Sequence, residues 1–116
     1  MNVLLVLHDG PYGNEKAYNG LRWAGSLARK EDVSVRVFMF GDSVSCAVAG
    51  QKVPSGYYCV ENMIQTVARH EGEIGCCGTC LDARGITDEM LTEGARRSTL
   101  DEVSQWTLWA DKVVSI

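Results

Sequence analysis

The apolar positions of the chain change period several times, and each change marks an element. Asn2 to Leu7 is a continuous β-prone run, and Val33 to Phe40 alternates at first and then becomes wholly apolar. Both predict strands, the inner one covered on two faces. Between them Ala17, Leu21, Ala24 and Ala28 recur at helical spacing, with Tyr18 and Leu27 widening the stripe, which predicts an amphipathic helix over Glu15 to Lys30. A strand, a helix and a strand in this order are the signature of a parallel sheet.

Further along, Gly41-Asp42-Ser43 ends the second strand, and a short helix is expected from Val44 to Ala49, before Gly50 and the Pro54-Ser55-Gly56 turn. Val60, Met63, Ile64 and Val67 mark another helix closing near His70, and Glu73 to Cys76 is a brief third strand. Thr87 to Leu91 reads as one or two helical turns, and Ala95 to Arg97 as a short strand or extended link. Thr99-Leu100-Asp101-Glu102 has the form of a capping box, so a helix starts there and runs to about Ala110, with Val103, Trp106, Thr107 and Ala110 facing inward. Lys112 to Ile116 is the last strand. The expected architecture is α/β, a single three-layer domain over residues 1–116 with helices flanking the sheet.

Charge and composition narrow the function classes. Eleven basic and fifteen acidic residues give a net charge of -4, and no basic run exceeds Arg96-Arg97, so nucleic acid is not an expected partner. The first apolar run is too short to span a bilayer and lacks both a basic n-region and a small-residue cleavage site. Neither a membrane nor secretion is expected. Five cysteines in a chain without a leader pattern fit free thiols in a reducing cytoplasm.

Three of those cysteines fall within Cys76-Cys77-Gly78-Thr79-Cys80, followed by Leu81-Asp82-Ala83-Arg84-Gly85. The reactive form of cysteine is the thiolate, which a guanidinium or a helix N-terminus favours, and Arg84 lies within a turn or two of Cys77 and Cys80. Cys76, one residue earlier on the strand, points to the opposite face and reads as structural. In a parallel sheet the strand-to-helix loops share one edge, so Asp9 to Gly13, Asp42-Ser43 and the cysteine loop are expected on one rim. There Arg84 either holds the thiolate or pairs with Asp82, Asp9 and Asp42 read as helix caps, and His8 as a polar edge residue. A zinc site is not expected, because the chain has one Cys-x-x-Cys and only His8, His70 or a neighbouring subunit to complete it. Cys46 and Cys59 read as buried helical thiols, and Trp23, Trp106 and Trp109 as core or subunit interface.

Taken in order, Gly10 to Glu15, Asp42-Ser43-Val44, Gly50-Gln51-Lys52, Cys77 to Cys80 through Arg84-Gly85-Ile86, and Gln105 to Leu108 into Ala110 to Val113 make a nearly end-to-end pattern. In it the chain resembles the DsrE/DsrF-like superfamily of small sulfur-relay proteins, in its YchN-like branch. The resemblance implies a mainly parallel five-stranded sheet and assembly as a homotrimer or homohexamer. It also implies a loop cysteine that accepts sulfane sulfur from a donor protein as a persulfide and passes it to an acceptor, with no cofactor. By its position before Arg84-Gly85, that cysteine is Cys77. Cys80 is shared with the YchN-like branch but not with every relay member, and a second thiol there could displace sulfide from a persulfide and leave a disulfide. Two other classes stay open: a small-ligand-binding or assembly module, and a dithiol redox protein.

Overall fold

The computed structural model describes residues 1–116. Five strands, β1 (Asn2–Leu7), β2 (Ser34–Met39), β3 (Glu73–Cys77), β4 (Ala95–Ser98) and β5 (Lys112–Ser115), form one sheet in the order β4-β3-β2-β1-β5. Every pairing is parallel, so the sheet is wholly rather than mainly parallel. Four helices complete the frame: α1 (Lys16–Ala28), α2 (Val60–Arg69), α3 (Gly78–Ala83) and α4 (Leu100–Trp109).

Alternation along the strands assigns the two faces. Val3, Leu5 and Leu7 of β1 share a face with Val35, Val37 and Met39 of β2, while Leu4 and Val6 share the other with Arg36 and Phe38. Helices α1 and α2 pack on the first face and on each other. Gly20 permits that approach, since a Cβ there would lie 2.6 Å from Leu7 Cδ2. Helix α4 covers the second face, where the Trp106 ring meets Phe38 edge-on at 6.1 Å and leaves no room for a side chain at Gly75. Arg36 lies under this helix with its guanidinium 3.9 Å from the Trp109 ring centre and 5.3 Å from that of Trp106. Trp106 is therefore core, whereas Trp23 is 49% exposed and belongs to the surface.

Several element ends differ from the sequence pattern. The stretch expected as a helix over Val44 to Ala49 is a 3₁₀ segment, Gly41–Ala47, starting as soon as β2 ends. Cys59 is not helical or fully buried; it is the half-buried, extended residue before α2. Half of the expected capping box at α4 forms: the Thr99 hydroxyl accepts the Glu102 amide at 3.1 Å. The Glu102 carboxylate turns instead to Arg96, at 2.6 and 3.0 Å, and to the Ser98 hydroxyl. An ionised partner outcompetes a neutral amide for that carboxylate.

One carboxylate ties the Gly50 turn to α2. Glu61 accepts the amides of Gly50 and Gln51, each at 3.0 Å, and the Thr92 hydroxyl at 2.9 Å. Burial opposes its ionisation, but these hydrogen bonds outweigh burial and hold the carboxyl below the usual glutamate range. A depressed folded pKa gives stability that is complete above the unfolded value and disappears as pH falls through the folded one. The acid limb of a stability-against-pH curve is thus expected to flatten in Glu61→Gln; an unchanged limb would show that Glu61 does not contribute to it.

Candidate functional site

The site forms where β2 and β3 end. Cys77 is both the last residue of β3 and the N-cap of α3, so the segment expected as a glycine-rich loop is a short helix that begins at once. Gly78 makes this turn possible, because a Cβ there would lie 3.0 Å from Arg97 Nη1 and 3.1 Å from the Ser98 carbonyl. One helical turn then brings Cys80 back toward Cys77, and both the Cys80 side chain and the amides of Thr79 and Cys80 act on the Cys77 thiol, the first opposing and the amides favouring its ionisation.

Neighbouring strand ends complete the arrangement. The Gly41 amide donates to Cys80 Sγ at 3.1 Å, from a backbone with φ +56 that favours glycine. Asp42 accepts Arg84 Nη2 at 2.7 Å and Nε at 3.2 Å, and Arg84 Nη1 donates to the Cys80 carbonyl at 3.0 Å. A Cβ on Gly10 would stand 3.4 Å from the Asp42 carbonyl. The loops after β1 and β2 and the start of α3 therefore meet on one rim.

Three readings of the sequence are corrected by this geometry. Arg84 neither holds a thiolate nor pairs with Asp82; it fastens α3 to Asp42. Asp82 goes to Arg97 Nη2 at 3.0 Å, and Arg97 also holds Asp88 at 2.6 Å and the Gly78 carbonyl at 3.2 Å. Neither Asp42 nor Asp9 caps a helix: Asp9 accepts Asn14 Nδ2 at 3.0 Å and faces Lys16, while α1 starts without a side-chain cap. The role of Arg97 had no signal in the sequence, since its partners lie 9, 15 and 19 residues away. His8 is exposed and shares a hydrogen bond with Ser115 Oγ at 2.9 Å, as a polar edge residue would.

The thiols differ sharply in environment. Cys77 is 7% exposed, and burial pushes its pKa up; contact with the Cys80 side chain adds to the rise, and the amides of Cys80 and Thr79 only partly offset it. Burial thus disfavours the Cys77 thiolate that a nearby guanidinium would favour. Cys76 faces the opposite side of the sheet, and burial drives it and Cys46 up to about 12. Cys80 is half-exposed. Timed alkylation with iodoacetamide at neutral pH, followed by peptide mass mapping, is expected to label Cys80 before Cys77 and to spare Cys46 and Cys76 until unfolding. Cys77 labelling as fast as a free thiol would contradict this order.

An all-parallel five-stranded sheet with paired thiols at the carboxyl edge defines a narrow class, and the family model of the DsrE/DsrF-like family matches residues 1–116. The chain belongs to that family. Protein YchN of Escherichia coli is 36% identical over 114 residues, which cover 97% of each chain. An uncharacterised protein of Methanopyrus kandleri is 32% identical, covering 97% of this chain and 91% of its own. The crystal structure of YchN from E. coli superposes with a TM-score of 0.94 at 35% identity, covering 100% of this chain and 99% of that one. A protein of unknown function from Methanobacterium thermoautotrophicum, at 13% identity and a TM-score of 0.76, shares the fold.

Proposed function

We propose that the chain is a sulfur-relay carrier in which Cys77 accepts sulfane sulfur and passes it on. Cys77 attacks the outer sulfur of a donor protein's persulfide: a new S–S bond forms on Cys77, the donor S–S bond breaks, and the thiol proton leaves with the donor thiolate. The acceptor protein repeats the exchange in the opposite sense, so no external oxidant or reductant is consumed. The observation that carries this reading is the place of Cys77 at the β3–α3 junction, as N-cap of α3, where the Thr79 and Cys80 amides of the first turn favour the anion that forms during exchange. Membership of the DsrE/DsrF-like family supports it. Arg84 acts as a positioning residue, holding the Cys80 turn against Asp42.

On this reading the carrier works in the cytoplasm as a homotrimer or homohexamer, with donor and acceptor proteins as its partners. No helix is long and apolar enough to cross a membrane. Two exposed leucines on α4, Leu108 at 88% and Leu100 at 68%, support self-assembly.

The contact between the two thiols favours one second reading, dithiol redox. Cys80 would attack a persulfide on Cys77, forming the Cys77–Cys80 disulfide and expelling hydrogen sulfide, and a dithiol reductant would restore the pair. Sulfide release from loaded protein, compared between wild type and Cys80→Ser, separates the two. The carrier reading expects equal, slow release from both; rapid release that disappears in Cys80→Ser would establish the dithiol reaction.

A further inference from the structure

Away from the cysteine site, a cleft of about 730 Å³ opens between the loop after β1 and the segment before α2, lined chiefly by Tyr12, Tyr57, Tyr58, Val53, Lys52 and Glu15. This volume is in the range of small-molecule sites. Its aromatic wall is built rather than incidental. Tyr12 stacks on Tyr58 at 5.7 Å, and Tyr58 stacks on Tyr18 at 4.1 Å. Tyr12 holds φ 68, a conformation that residues other than glycine rarely adopt. The Tyr12 hydroxyl is pinned, donating to Gln51 Oε1 at 2.5 Å and accepting the Val60 amide at 3.0 Å. Tyr57 meanwhile stands 71% exposed at the cleft.

The polar groups that remain free select the ligand. The Gln51 amide is committed, its Nε2 donating to the carbonyls of Cys46 at 2.8 Å and Val48 at 2.9 Å. Gln51 and the Tyr12 hydroxyl therefore supply shape. Lys52 and Glu15 line the cleft without an ion-pair partner, leaving tyrosine faces, one cation and one carboxylate for recognition. A peptide would leave its backbone groups unmatched against this lining. A flat heteroaromatic ring with one phosphate matches it, the ring stacking on tyrosine, the phosphate meeting Lys52, and a ring amine or sugar hydroxyl meeting Glu15.

We propose that this cleft is a mononucleotide-binding site, separate from the cysteines and independent of the sulfur-relay reading. The test is titration of the full chain with AMP and FMN, with adenosine and ribose 5-phosphate as partial ligands, followed by calorimetry and by flavin fluorescence. At least one nucleotide is expected to bind saturably. Tyr57→Ala, a change at an exposed position, is expected to weaken it about tenfold, and Lys52→Gln to weaken the nucleotide severalfold while leaving adenosine unaffected. Absence of saturable binding by both nucleotides, an affinity unchanged in Tyr57→Ala, or ribose 5-phosphate binding as tightly as the nucleotide would each overturn the proposal.

Discussion

Cys77→Ser is expected to lose sulfane-sulfur loading by about a hundredfold or more, on the scale of removing an enzyme's nucleophile. Of the remaining four thiols, Cys46 and Cys76 are sealed in the core with pKa values pushed up to about 12, Cys59 lies before α2, and Cys80, whose sulfur is held by the Gly41 amide at 3.1 Å, is expected not to load in place of Cys77. Serine preserves the size of the side chain, so the variant should fold. Cyanolysis of labile sulfur after incubation with polysulfide reads the effect, with circular dichroism as the check on folding. Loading at the wild-type rate would remove Cys77 from the mechanism.

Phe38→Ala is expected to be the most damaging change outside the cysteines. Phe38 is fully buried in the middle of the sheet, in edge contact with Phe40 at 4.7 Å and with Trp106 at 6.1 Å. Truncating such a side chain costs about 3–5 kcal/mol, which lowers the melting temperature by roughly 10–20 °C in a domain of this size. The effect should reach the site, because Phe38 supports Trp106, and Trp106 packs over Gly75, two residues before Cys77. Thermal unfolding and Cys77 alkylation measured together test this coupling. A loss below about 1 kcal/mol, or unchanged Cys77 reactivity, would show that the layer under α4 does not hold the site.

Much of this architecture is legible in the sequence because it rests on local periodicity. The run from Asn2 to Leu7, the stripe through Ala17, Leu21 and Ala24, and the Thr99 cap each report a single element and its buried face. Placement of Cys77 after a parallel strand follows from the same pattern, since crossover geometry collects such junctions at one edge. The electrostatics of the site are not local, and no periodicity reports them. Arg84 and Asp42 are 42 residues apart in sequence, and their pairing depends on how α3 leaves the sheet. Gly78 and Thr79 read as loop residues, yet α3 starts there because Arg97 from β4 clamps the Gly78 carbonyl and Asp82. The thiol burial that raises Cys77 likewise depends on packing between elements rather than on its flanking residues.

The most direct test of the account is intact-protein mass spectrometry after anaerobic incubation with a persulfidated sulfurtransferase, on wild type, Cys77→Ser and Cys80→Ser. A gain of whole sulfur atoms that requires Cys77 and survives loss of Cys80 is the predicted result. A loss of two hydrogen atoms that requires both thiols, or no mass change in the wild type, would contradict the carrier.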